Sequence, residues 1–161
     1  MFRRSALALI AIVSLAACHP AKTAVKPADE SANAAFLAKN AKEPGVVTLP
    51  DGLQYKIVKS GPATGIHPKV EDEVKVNYEG KLLSGEVFDS SFARGVPAAF
   101  PLDGLIPGWV EAMQLMRPGD EWILWTPPAL GYGEETKGPI PGNSVLRFRI
   151  QLLDVLPHSA R

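Results

Sequence analysis

The chain has 161 residues and a formal net charge of zero, with 17 lysines and arginines against 17 aspartates and glutamates, one cysteine and three histidines. A lone cysteine rules out a disulfide framework within the chain, and no lysine or arginine cluster marks a nucleic-acid or anionic partner. About 100 residues of alternating pattern can bury one core, so one globular domain is expected.

Residues 1–17 read as a leader. Arg3 and Arg4 open it, and Ser5 to Ala17 is an apolar run ending in small side chains. The run falls short of the ~20 residues that a helix needs to cross a bilayer. Leu15-Ala16-Ala17-Cys18 resembles the lipobox of bacterial lipoproteins, in which the cysteine becomes the first residue and is lipidated. That resemblance implies a diacylglyceryl thioether and an N-acyl group at Cys18, hence durable membrane attachment. His19 stands where an inner-membrane retention signal would usually be Asp, which points to the periplasmic face of the outer membrane. Loss of Arg3 and Arg4 would leave 15 basic side chains against 17 acidic ones.

Residues 18–45 form the next unit. His19 to Ala28 reads as a tether rich in Ala, Lys and Pro. Glu30 to Lys42 is a short helix whose only large apolar side chains are Phe36 and Leu37, ended by Pro44-Gly45.

Residues 46–157 carry the expected folded domain, with 158–161 as a tail. From Leu53 the apolar period becomes two. Gln54 to Val58 is a predicted strand, closed by Ser60-Gly61-Pro62. Val74, Val76 and Tyr78 alternate with Lys75, Asn77 and Glu79, the pattern of a half-buried strand. Ser84-Gly85 offers a turn before an extended Val87-Phe88. Pro107-Gly108 opens a helix in which Trp109, Met113 and Met116 make one apolar stripe, stopped by Arg117-Pro118-Gly119. Trp122 to Thr126 is a strand broken by Pro127-Pro128, and Leu146 to Leu152 alternates most clearly of all. One apolar helix stripe and one apolar sheet face can bury each other, which gives an α+β fold with an antiparallel sheet wrapped around a short helix.

Phe88-Asp89-Ser90-Ser91, Ile106-Pro107-Gly108-Trp109 and Gly131-Tyr132-Gly133, with Tyr78 and Phe148, concentrate aromatics around very few polar groups. Such a set suits a proline ring and its preceding amide. These motifs and their order resemble the FK506-binding-protein family of peptidyl-prolyl isomerases over roughly Leu53 to Leu156, in the form of a bacterial lipoprotein. The resemblance implies the family's half-barrel and a catalytic set of Tyr78, Asp89, Trp109 and Tyr132. Trp109 would lie beneath the proline ring, with Tyr78, Phe88 and Phe148 as walls. Leu105 and Ile106 would form an aliphatic rim, the Ile106 N–H and the Tyr132 hydroxyl would meet substrate carbonyls, and Arg94 would partner Asp89. Ile140 would come from a loop overhanging the pocket.

The implied substrates are proline-containing polypeptides of the envelope, with FK506- or rapamycin-type macrolides as further ligands. No cofactor, metal or nucleic acid is implied. The helical stub is short beside the long dimerisation helices of secreted relatives, which favours a monomer. Ala98 replaces an aromatic common in the family, leaving a thinner wall unless Phe100 substitutes, and the segment Glu134 to Pro139 is shorter than in some relatives. Taken singly, Trp109 and Phe148 are ordinary core positions and Asp89 an ordinary turn residue. A module that holds proline segments without turnover, or an envelope adhesin on the same fold, are the other readings.

His19, His67 and His158 have no metal-ligand spacing, and neither a Gly-x-Ser-x-Gly elbow nor a phosphate-cradling Gly-Lys-Ser/Thr loop occurs.

Overall fold

A computed structural model describes residues 26–158. The expected leader, the lipidation site Cys18 and the tether up to Val25 lie outside them, as do residues 159–161.

Helix α1 (Glu30–Asn40) begins at Asp29, whose carboxylate accepts the N–H groups of Ser31 at 2.9 Å and Ala32 at 3.2 Å. Those donors have no partner inside the first turn, so the cap supplies one. Seven strands follow: β1 (Val46–Thr48), β2 (Gln54–Lys59), β3 (Glu73–Leu82), β4 (Val87–Ser90), β5 (Ala98–Pro101), β6 (Glu121–Thr126) and β7 (Leu146–Leu156). Between them lie the one-turn helix α2 (Ser91–Arg94) and helix α3 (Pro107–Leu115). All pairings are antiparallel, in the order β1-β2-β6-β7-β3-β4, with β5 also on β3. The architecture is the α+β half-barrel expected.

Strand β3 organises the site. One edge pairs with β7 along Glu73 to Leu82. The other is shared, with β5 on Glu73 to Val76 and β4 on Glu79 to Lys81. Between those two stretches no strand reaches Tyr78, and the Ser91 hydroxyl accepts its N–H at 2.8 Å instead. A buried amide needs such a partner, and here it fixes the backbone from which Tyr78 projects.

Helix α3 starts with Pro107 at its first position, where a missing N–H costs nothing. Gly108, Trp109, Ala112 and Met113 are buried, and Met116 is buried just past the helix end. This stripe packs into a cluster with Leu53, Val74, Val76, Leu124, Leu146, Ile150 and Leu152. Strand β6 departs from a one-faced pattern, because Ile123 and Trp125 are buried too, outside that cluster. On their face they are registered beside Lys56 and Arg149, and beside Gln54 and Arg147. The aliphatic stems of such neighbours shield apolar surface.

Candidate functional site

A cavity of about 270 Å³ opens over the N-terminal end of α3. It is lined by Tyr78, Phe88, Asp89, Phe100, Gly104, Leu105, Ile106, Trp109, Tyr132 and Phe148. Each element presents one to three of them. Strand β3 supplies Tyr78, β4 supplies Phe88 and Asp89, β7 supplies Phe148, and the entry to α3 supplies Leu105, Ile106 and Trp109.

Trp109 is only 4% exposed, yet the cavity reaches it. Three rings stand nearly upright on the indole plane: Tyr78 at 5.3 Å and 87°, Phe148 at 5.3 Å and 87°, and Phe100 at 6.4 Å and 81°. Phe88 meets Phe148 edge-on at 5.7 Å. Edge-to-face contacts of this kind favour perpendicular rings, so the aromatic rings stand crosswise around the indole and build an open box. Phe100 takes the wall position left open by Ala98, which does not line the cavity.

The polar side chains of the lining are few, and one set is tied together. The Tyr78 hydroxyl donates to Asp89 Oδ2, and Arg94 Nη1 donates to Asp89 Oδ1. Arg94 Nη2 donates to the Tyr78 oxygen at 3.2 Å, closing the triangle. Burial pushes the Asp89 carboxyl upward, but the bonds from Tyr78 and Arg94 outweigh it and hold the group below its ordinary value. Burial, then the bond to Asp89, raises Tyr78 above its own. At neutral pH the triangle therefore contains one carboxylate, one neutral phenol and one guanidinium. Asp89 also takes a local bond from the Ser90 N–H, while Ser90 Oγ accepts the Ala93 N–H at 3.2 Å and caps α2.

Besides the buried Trp109 Nε1, which has no partner among the described residues, two other donors carry none. Among the described residues, neither the Ile106 N–H nor the Tyr132 hydroxyl makes a hydrogen bond within the chain. Both residues line the cavity, and Tyr132 is 39% exposed at its mouth.

Arg94 stands behind Asp89 and does not line the cavity. Ile140 is absent from the lining as well. It is 6% exposed, packs in the inner cluster, and pairs with Lys137 across the Gly138-Pro139 tip. Its apolar side chain thus anchors the loop from beneath.

Two glycines that shape the cavity escape a reading based on side-chain chemistry. Gly104 contributes backbone alone. Gly80, although not itself in the lining, makes room for two walls, since a Cβ there would stand 2.5 Å from the Phe88 ring and 3.0 Å from Phe148. A glycine inside an otherwise alternating strand is the signal for such a close approach.

Residues 64–153, more than half of the chain, match the family model described as FKBP-type peptidyl-prolyl cis-trans isomerase. Residues 13–57 match the model of the domain amino terminal to that isomerase. The peptidyl-prolyl cis-trans isomerase Mip of Coxiella burnetii is 50% identical over 75% of this chain and 52% of its own length. The outer membrane protein MIP of Legionella longbeachae is 48% identical over 75% of this chain and 52% of its own. The solved peptidyl-prolyl cis-trans isomerase of Pseudomonas syringae pv. tomato superposes with a TM-score of 0.73 at 36% identity, covering 79% of this chain and 92% of that one. The chain spans about half the length of these two curated relatives. It belongs to the FKBP-type peptidyl-prolyl cis-trans isomerase family.

Proposed function

We propose that this protein accelerates cis–trans rotation of X-Pro bonds in polypeptides of the cell envelope, and so assists their folding. The observation that carries the reading is the pairing of an aromatic box over Trp109 with two unspent donors, the Ile106 N–H and the Tyr132 hydroxyl, at one cavity.

Amide resonance sets the rotation barrier at roughly 18–20 kcal/mol. Lowering it calls for no nucleophile or proton transfer, only for a site that binds the twisted amide better than the planar one. A twisted amide has less charge separation, so a dry apolar box disfavours the planar form more. In this reading the proline ring rests on the Trp109 indole between Tyr78, Phe88, Phe100 and Phe148. The Ile106 N–H and the Tyr132 hydroxyl take the flanking carbonyls, which holds one side of the bond while the other turns. Asp89, kept ionised by Tyr78 and Arg94, presents a fixed negative charge to the rotating amide. Leu105 forms the aliphatic rim.

A protease-coupled assay on a short X-Pro peptide, with and without FK506 or rapamycin, tests the activity. Acceleration abolished by macrolide is the expected result. No acceleration at micromolar enzyme would overturn the reading and leave a module that only holds proline segments.

Lipid attachment at Cys18 and residence at the periplasmic face of the outer membrane belong to the same reading. They are supported by the Leu15-Ala16-Ala17-Cys18 sequence and by a relative named as an outer membrane protein. Cys18→Ser should move the protein from the membrane fraction to the soluble one. A monomer is supported by the brevity of α1, and light scattering of the delipidated protein measures it.

A further inference from the structure

Helix α1 meets the rest of the fold through amides more than through an apolar face. Its inward stripe is Asn33, Phe36, Leu37 and Asn40, of which the two asparagines are the buried members. At the C-terminal end, Asn40 Nδ2 donates to Gln54 Oε1 at 2.8 Å, and Gln54 Nε2 donates to the Leu37 carbonyl at 2.9 Å. That end is pinned to β2. At the other end, the Ala28 N–H donates to the Gly142 carbonyl at 2.8 Å, and Asn33 Nδ2 donates to the Asn143 carbonyl at 2.5 Å. That end is pinned to the loop that carries Tyr132.

Asn143 connects the two. Its carbonyl receives Asn33, while its N–H donates to the Gly133 carbonyl at 2.7 Å, one residue beyond Tyr132. Its φ of 59° lies in the left-handed region, which few residues with a Cβ other than asparagine adopt. Bonds on both sides of that peptide keep it there. Next to it, Gly142 lies so close to the opposite arm that a Cβ would stand 2.0 Å from the Glu134 carbonyl oxygen. The arms 131–134 and 141–143 therefore touch, and α1 grips the second of them. Among the described residues the Tyr132 hydroxyl has no hydrogen-bond partner, so the loop backbone sets its place.

We propose that Asn33 is a positioning residue for the candidate isomerase site: by clamping Asn143 it fixes the loop, and with it the Tyr132 hydroxyl at the cavity mouth. This rests on the isomerase reading above. Asn33 touches nothing in the cavity, and acts by removing motion that a substrate would otherwise have to quench on binding.

The test is a double-mutant cycle on the full chain, reading kcat/KM for an X-Pro peptide in wild type, Asn33→Ala, Tyr132→Phe and the pair. Asn33→Ala should lower kcat/KM about fivefold, the size of one hydrogen bond's net contribution. With Tyr132 already Phe, the same change should cost about twofold or less, because coupled residues are not additive. Additive losses, or no loss in Asn33→Ala, would overturn the proposal. Should Asn33→Ala fail to fold, Ala28→Pro removes the separate donor to Gly142 and enters the same cycle.

Amide exchange gives a readout independent of activity. In Asn33→Ala the Asn143 N–H should exchange faster, while the Leu152 N–H in the sheet, bonded to the Asp120 carbonyl at 3.0 Å, keeps its wild-type rate. Equal acceleration of both would mean general loosening and would overturn the clamp. A wild type without turnover would sink the isomerase reading alone, with exchange still deciding on the clamp.

Discussion

A Cβ at Gly80 would come within 2.5 Å of the Phe88 ring, so the missing side chain on β3 is what lets the β4 aromatic stand where it does. Gly80→Ala should push Phe88 and Phe148 off their edge-to-face contact, destabilise the fold by about 1–3 kcal/mol and reduce peptide turnover. Denaturant midpoints and the protease-coupled rate check both. Turnover at the wild-type level would show that the ring moves aside without consequence.

Asp89→Leu removes the group on which both Tyr78 and Arg94 converge. The Tyr78 hydroxyl keeps only Arg94 beside it, and leaving a buried polar group without its partner costs about 1–3 kcal/mol. Turnover should drop about tenfold or more with the fold intact by circular dichroism, a loss of about 1.4 kcal/mol for each factor of ten. Equal activity would reduce the triangle to a structural feature.

Tyr132→Phe deletes one hydroxyl, which makes no hydrogen bond among the described residues. Stability should stay at the wild-type value, and kcat/KM should drop about fivefold, one hydrogen bond to a substrate carbonyl. Unchanged turnover would remove the hydroxyl from the proposed mechanism.

Asp51, in the turn before β2, and Glu111, on α3, share a hydrogen bond. Burial first, then the bond and charge of Asp51, push Glu111 from 4.5 up to about 7. The bond to Glu111 holds Asp51 below its ordinary value. Between about pH 4.5 and about pH 7 the folded chain thus keeps a proton that the unfolded chain has released. Stability should decline as pH rises through that window. Glu111→Gln keeps a donor for Asp51 and removes the titration, so its urea midpoints should vary less with pH across the same range. A wild-type slope that survives the substitution would place its origin elsewhere.

The long elements were legible because their burial is one-sided. Alternation along β3 and β7, and the Trp109-Met113 stripe after Pro107, follow from facing a single core. Each of these strands runs slightly past its alternating segment, where pairing continues after the periodic pattern ends. The short strands β1 and β5 were not legible. Three or four residues show no period, and β5 follows Pro97 and ends on Pro101. Helix α1 was visible, but its docking was not, because Asn33 and Asn40 look like solvent residues until their acceptors are in place. The cavity residues were legible through their motifs, while the spatial separation of Ile140 from the cavity depends on a loop path that local sequence does not encode. The Asp51–Glu111 contact joins positions far apart in the chain, and no local pattern announces it.

Strand β7 lies between β6 and β3, and it is the last of the described strands to leave the ribosome. Until it emerges, the nascent polypeptide holds two separate leaves, β1-β2-β6 and β3 with its partners, each lacking its inner neighbour. Phe148 is then missing from the aromatic box, so the cavity lacks one of its walls. Closure requires distant stretches to meet in one late insertion, and topologies of that kind assemble slowly. Docking of that strand and completion of the cavity wall should therefore be one event.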